Sequence, residues 1–176
     1  ITLYARLCDG TLVKGESNIP KHSNQISEVF YQDEVKATKE ALRAITEADI
    51  IIFGIGSLYT SILPNIAINE LRDALKACKA TKIYLCNAMT QHGETDNYYM
   101  EDHVTAIEKH LQDEIDLVIY ANDELPVHNL ERYILQQAFP VLIRHKQHRY
   151  LVEEYEMLSF KNELIRHDSQ RIRDVF

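Results

Sequence analysis

Two short segments carry residue types from which a ligand site could be built. The first, Gly54-Ile55-Gly56-Ser57-Leu58-Tyr59-Thr60-Ser61, places two glycines and several hydroxyls directly after an apolar run. Gly54 and Gly56 would let a ligand approach the backbone closely, and Ser57, Thr60 and Ser61 add donors suited to a phosphate or diphosphate. A tight turn that needs glycine for steric reasons alone reads equally well, since a lone G-x-G falls short of the dinucleotide fingerprint. Ser57 is not a nucleophile elbow, because G-x-S-x-G is not met. The second segment, Asn87-Ala88-Met89-Thr90-Gln91-His92-Gly93-Glu94-Thr95, gathers amide, hydroxyl, imidazole and carboxylate groups around one glycine. That composition serves a polar ligand or simply solves a turn. The ligand reading gains weight if the two preceding strands are neighbours.

Other residue types are less pointed. His103 and His110 sit seven apart on one expected helix. No third ligand has metal-site spacing and there is no H-E-x-x-H, so they read as solvated surface histidines. The run His145-Lys146-Gln147-His148-Arg149 reads as an exposed basic turn, or as one wall of an anion site. Glu153, Glu154 and Glu156 read as a solvated face, and the carboxylates are too dispersed to nominate an acid–base pair. No metal and no cofactor is expected.

The elements that must hold these segments follow from periodicity. Ile1, Leu3, Ala5 and Leu7 alternate with Thr2, Tyr4 and Arg6, and Asp9-Gly10 then predicts a hairpin turn before Leu12 and Val13. Val35, Leu42 and Ile45 recur at helical spacing between Glu34 and Ala48. Asp49-Ile50-Ile51-Ile52-Phe53 suits a strand buried on both faces of a parallel sheet. The alternation repeats: a helix at Ile68, Leu71 and Leu75, a strand over 82–87, a helix at Met100, Val104, Ile107 and Leu111, and a strand over 116–120. Asn129 to Ala138 reads as a helix with Leu130, Ile134 and Ala138 on one face, ended by Pro140. Tyr150 to Glu153 reads as a strand and Ser169 to Phe176 as a short helix. Such alternation predicts a single α/β domain over 1–176, a three-layer, Rossmann-like, mostly parallel sheet with an N-terminal β-hairpin. Ligands of such sheets collect beyond the carboxyl ends of the strands, where both glycine segments fall.

Composition closes off some classes. Of 176 residues, 45% are apolar, enough for a core. With 19 Lys and Arg against 27 Asp and Glu the net charge is −8, which argues against non-specific nucleic-acid or anionic-membrane binding while leaving room for a local basic pocket. The three cysteines, Cys8, Cys78 and Cys86, form no C-x-x-C pair and no closed disulfide framework, so a reducing cytoplasm is expected. The most apolar run, Ile50–Phe53, is broken by Gly54 and Gly56, far short of the ~20 residues a membrane-spanning helix needs.

The same segments carry a resemblance. Gly54-x-Gly56-Ser57-Leu58-Tyr59-Thr60-Ser61-Ile62-Leu63-Pro64-Asn65 and Cys86-Asn87-x-Met89-Thr90-Gln91-x-Gly93-Glu94-Thr95, with Asp102-His103-Val104, resemble the gluconeogenesis factor family (YvcK-type), a branch of the CofD-like superfamily. Gly15-Glu16-Ser17-x-Ile19-Pro20 and Lys161-Asn162-x-Leu164-Ile165-Arg166-His167-Asp168 extend the match over nearly the whole chain. Ile55 and His92 stand where the family usually has Pro. The resemblance implies a cytoplasmic bacterial protein needed for growth and cell shape on gluconeogenic carbon sources, with the fold of 2-phospho-lactate transferases and no established reaction. It implies a UDP-sugar ligand, UDP-N-acetylglucosamine in particular. It assigns ligand contacts to Tyr133, in Arg132-Tyr133, and to Arg166, in Ile165-Arg166-His167-Asp168. Members begin with a Gly-Gly-Gly-Thr-Gly loop that nothing here matches, so the chain is expected to be the second half of such a protein, with that loop completing the nucleotide site. The expected ligand set is therefore Gly54, Gly56, Ser57, Asn87, Thr90, Tyr133 and Arg166. A regulatory UDP-sugar-binding protein is one expectation. A transferase acting on a phosphorylated or nucleotide-activated substrate is the alternative, and homo-oligomerisation is left open.

Overall fold

Alternation builds the first element. Strand β1 (Leu3–Leu7) buries Leu3, Ala5 and Leu7 and leaves Arg6 in solvent. Gly10, at a positive φ of 89°, donates its N–H to the Leu7 carbonyl, and the chain returns antiparallel as β2 (Leu12–Lys14), with Val13 opposite Ala5. The expected hairpin is therefore present. It is part of a larger unit: β3 (Ile26–Tyr31) pairs antiparallel along the other side of β1, giving a separate three-stranded sheet. This structure, a computed structural model, describes residues 1–22 and 24–176.

The expected helix over 34–48 starts later, as α1 (Lys39–Glu47). Thr38 stays extended and its hydroxyl accepts the Ala41 N–H at 3.2 Å, a cap that fixes the start. Four strands then pair in parallel and in chain order: β4 (Ile50–Phe53), β5 (Thr81–Leu85), β6 (Leu117–Ala121) and β7 (Leu151–Tyr155). Between them lie α2 (Leu63–Ile66), α3 (Asn69–Ala77), α4 (Met100–Leu111) and α5 (Val127–Leu135). A two-rung antiparallel hairpin, β8 (Leu158–Ser159) with β9 (Arg166–His167), and α6 (Ser169–Val175) complete the chain. None of the helices among the described residues is long and apolar enough to cross a membrane.

One strand face carries Phe53, Tyr84, Val118 and Val152 side by side. It packs into the main core with α2, the inner residues of α4 and the buried side chains of the antiparallel sheet. The other face carries Ile52, Ile83, Leu117 and Leu151, and Met157 with Ile172 and Val175 of α6 covers its middle. Helical material on both faces makes the three layers. A strand order that never reverses puts right-handed crossovers on one face, and the second face takes its described cover from the segment after β7. Ile50 and Ile52 are consequently 50% and 42% exposed, which corrects the expectation of a strand buried on both sides.

Two further expectations change. His103 and His110 are not solvated. They fall on the inward stripe of α4, where His103 is fully buried between Tyr84 and Tyr98 and His110 accepts the Val29 N–H at 3.0 Å. Burial lowers the pKa of both. Helix α5 stops at Leu135, three residues earlier than expected, because Gln136 leaves helical geometry and Gln137 takes a φ of 57°.

Glu101, in the first turn of α4, fastens the 144–148 turn. Its carboxylate accepts the backbone N–H groups of Arg144 and His145 and the His148 ring at 2.8 to 3.1 Å. Burial pushes the Glu101 pKa up, but His148 and those N–H groups outweigh it and hold the group at about 2. A folded pKa below the ordinary carboxylate value gives stability present above that value and lost as pH falls toward 2. Glu101→Gln should therefore lower stability near neutrality by about 1.5–3 kcal/mol. The deficit should shrink between pH 5 and 3 in denaturant titrations, and a deficit that does not change with pH would contradict this account.

Candidate functional site

β4 and β5 end next to one another, so the two glycine segments leave the sheet at the same edge. After β4 the chain passes a cis Gly54–Ile55 peptide and winds into a wide turn in which the Ser57 carbonyl accepts the Ser61 and Ile62 N–H groups at 2.9 and 3.0 Å. Leu58, Tyr59 and Ile62 are buried, anchoring that turn in the core. A Cβ on residue 56 would lie 2.9 Å from the Ser61 Cβ, so the loop's own packing already requires Gly56.

After β5 the second segment is tied across to the first. Asn87 donates from Nδ2 to the Gly56 carbonyl at 2.8 Å, while its Oδ1 accepts the Tyr84 hydroxyl at 2.8 Å. Glu94, 3% exposed, accepts the Tyr59 N–H at 3.0 Å on one oxygen. Its other oxygen accepts the Thr60 hydroxyl at 2.8 Å and the Gln91 amide at 2.9 Å. Burial raises the Glu94 pKa, against the lowering effect of the Thr60 and Tyr59 hydrogen bonds. The same loop is pressed onto the N-terminal lobe at Gly93, where any Cβ would come 1.9 Å from the Pro20 carbonyl oxygen.

A cavity of about 540 Å³ opens at this edge. Gly56, Ser57, Asn87, Tyr133 and Arg166 all line it, brought together from the two loops, α5 and β9. Thr90 and Gly54 are placed elsewhere. Thr90 exchanges hydrogen bonds with Phe139, its N–H donating to the carbonyl at 2.7 Å and its hydroxyl accepting the Phe139 N–H at 2.9 Å, so its side chain stitches the loop to the segment after α5. Gly54 borders a separate apolar cavity of about 410 Å³ between β4 and helices α1 and α3.

Lining residues outside the expected ligand set include Met89, Gln91, Ile165 and His167. The signal for each is proximity: Met89 and Gln91 flank Thr90, and Ile165 and His167 flank Arg166. Burial lowers the pKa of His167, and among the described residues its buried Nε2 has no partner. Among the described residues, Arg166 is the one permanent cation of this lining, and no carboxylate faces it there. In a chain of net charge −8 that gives the lining the local sign that an anion would need. Ile55, Leu85, Met89 and Ile165 add apolar wall beside the polar groups, the mixture that a base or sugar ring attached to a phosphate needs.

Comparisons with known proteins bear on the family and the fold. A family model described as 2-phospho-L-lactate transferase CofD matches residues 1–158. The chain belongs to the CofD family. It is 42% identical over 179 residues to a putative gluconeogenesis factor of Thermotoga maritima, covering 98% of this chain and 57% of that protein. It is 36% identical to the gluconeogenesis factor of Bacillus subtilis, covering 99% of this chain and again 57% of the relative. A crystal structure of a UPF0052 family member from Bacillus halodurans superposes with a TM-score of 0.94 at 34% identity, over 99% of this chain and 58% of that one. The chain thus spans a little over half the length of these relatives. Arg166 and His167 lie beyond the part matched by the family model and within the part shared with the relatives.

Glu94 generates a test of how the two loops are joined. A raised folded pKa means that ionised Glu94 is penalised by burial, so its contribution is greatest at low pH and falls as pH rises through the folded pKa. Glu94→Gln can keep all three contacts, because the Thr60 hydroxyl and Gln91 amide can reverse their roles. Thermal melts should show Glu94→Gln gaining on the wild type between pH 4 and 7, and Glu94→Ala destabilised by about 1–3 kcal/mol throughout. Glu94→Gln falling progressively behind as pH rises would refute the assignment.

Proposed function

We propose that the cavity binds a UDP-sugar, UDP-N-acetylglucosamine in particular. On this reading the protein is a regulatory, cytoplasmic one that reports nucleotide-sugar supply during growth on gluconeogenic carbon sources and so affects cell shape. The supporting observation is convergence: side chains from four separate elements line one cavity holding, among the described residues, a single permanent cation and no carboxylate. Arg166 would grip diphosphate oxygens with its planar fork, Ser57 and the Gly56 backbone would approach the phosphates, and the apolar wall would take the ring. The relatives' name, gluconeogenesis factor, motivates the physiological half of the proposal.

A transferase reading rests on a different observation, the match to a family model named for a 2-phospho-L-lactate transferase. The unpartnered Nε2 of neutral His167, next to Arg166 in sequence, is the group that could take a proton from an acceptor hydroxyl. Incubating UDP-N-acetylglucosamine with hydroxyl acceptors and searching for released UDP or UMP separates the two, since turnover would replace the regulatory reading.

For binding, calorimetry on the natural full-length protein is the direct test. Arg166→Ala should weaken UDP-N-acetylglucosamine about tenfold to a hundredfold, the equivalent of ~1.5–3 kcal/mol for a charge-assisted contact. Arg166→Lys should recover only part of that, because it keeps the charge and loses the fork. Equal affinity in all three folded proteins would remove Arg166 from the site.

A further inference from the structure

Arg166 stands on a hairpin that cannot hold its own shape. β8 and β9 share only two rungs, Leu158 with His167 and Ser159 with Arg166, and the turn between them passes through Asn162 and Glu163 at φ of 55° and 60°. Two-stranded units of this size are not stable alone in water. The base of the hairpin is pinned by Asp123, whose carboxylate accepts the Met157 and Leu158 N–H groups at 2.8 and 3.1 Å. The returning limb is held from α5.

Three residues on one face of α5 reach the turn and that limb. Asn129 makes a long 3.5 Å contact to the Phe160 carbonyl, Arg132 lies 3.7 Å from the Glu163 carboxylate, and Tyr133 meets Ile165. The Tyr133 contact is the most complete. Its hydroxyl accepts the Ile165 N–H at 3.0 Å and donates to the Ile165 carbonyl at 3.2 Å, so one side chain satisfies both backbone groups of that residue, as a neighbouring strand would. Ile165 is buried and Arg166, the next residue, is exposed at the cavity wall.

We infer that Tyr133 is a positioning residue: by holding both backbone groups of Ile165, its hydroxyl sets the direction in which Arg166 enters the cavity. The affinity part of this inference rests on the UDP-sugar reading. It differs from a stacking role, in which the ring would contact the ligand and the hydroxyl would be dispensable. With its proton given to one Ile165 group and a lone pair to the other, the hydroxyl is committed to the hairpin.

Tyr133→Phe separates the two roles, because it keeps the ring and removes the hydroxyl. In the natural full-length protein, Tyr133→Phe should weaken UDP-N-acetylglucosamine about tenfold. Adding Tyr133→Phe to Arg166→Ala should cost little more than Arg166→Ala alone, since both act through one contact. Amide exchange at Ile165 should accelerate by about tenfold or more in Tyr133→Phe, with the α4 amides unchanged. Wild-type affinity in Tyr133→Phe together with loss in Tyr133→Ala would establish stacking and overturn the inference, and so would full additivity with Arg166→Ala. If the wild type does not bind UDP-N-acetylglucosamine, the ligand reading fails separately, and exchange at Ile165 then decides: an unchanged rate in Tyr133→Phe overturns the clasp.

Discussion

The cleft depends on the chain leaving β4 and the chain leaving β5 being tied to each other instead of to water. Glu94 does most of this, since its buried carboxylate takes a backbone N–H and a hydroxyl from the first loop and an amide from the second. Asn87 adds a second tie, to the Gly56 carbonyl. A carboxylate removed from water is expensive unless its lone pairs are filled, and here three donors fill them. The cost of burial is the reason the arrangement is specific: any displacement of either loop strands a buried polar group. Gly93 against Pro20 then locks the paired loops to the antiparallel lobe, so one wall of the cavity has little freedom.

The opposite wall is of another kind. The β8–β9 hairpin is neither a continuation of the parallel sheet nor part of the main core, and its position is set by side chains of Asp123 and α5. A cavity with one wall fixed by buried charge and the other by hydroxyl and amide contacts can adjust on one side only. The cation sits on the adjustable side, and the close-approach backbone sits on the fixed side. Under the proposed binding mode, that division would let a phosphate be located by loop geometry first and gripped by Arg166 second.

The parallel strands are legible in the sequence because their apolar runs are short, β-branched and regularly interrupted by helical spacing, and the hairpin is legible from Asp9-Gly10. β3 is not, because Ile26-Ser27-Glu28-Val29-Phe30-Tyr31 buries only Ile26 and Val29 and never shows clean alternation. Exposure of Ile50 and Ile52 is illegible for a topological reason: a β-branched run reports strand propensity and says nothing of which strand neighbours or helices cover it. His103 and His110 mislead when imidazole is weighed by type, although their positions on the α4 stripe are those of core residues. In the site, the glycine loops announce themselves by composition. The part played by Thr90 depends on Phe139, 49 positions away, and that of Tyr133 on Ile165, 32 away, and such pairings are visible only after folding.

Those long-range pairings also explain how an acidic chain can keep carboxylates out of the described lining of one cavity. Coulomb repulsion from a net charge of −8 is spread over the surface and screened beyond about a Debye length of ~8 Å at physiological salt. The local field at the cavity is instead set by which charges face it. Glu94, a carboxylate of the second loop, is engaged with Tyr59, Thr60 and Gln91, and it borders a different opening shared with Glu16. Asp123 is committed to the hairpin base and Arg171. Each of these carboxylates, which could have opposed a ligand phosphate, is thus used to hold the backbone that presents Arg166 or the glycine loop. The acids around this cavity hold the backbone of its walls, and the sign of its lining follows from that use of them.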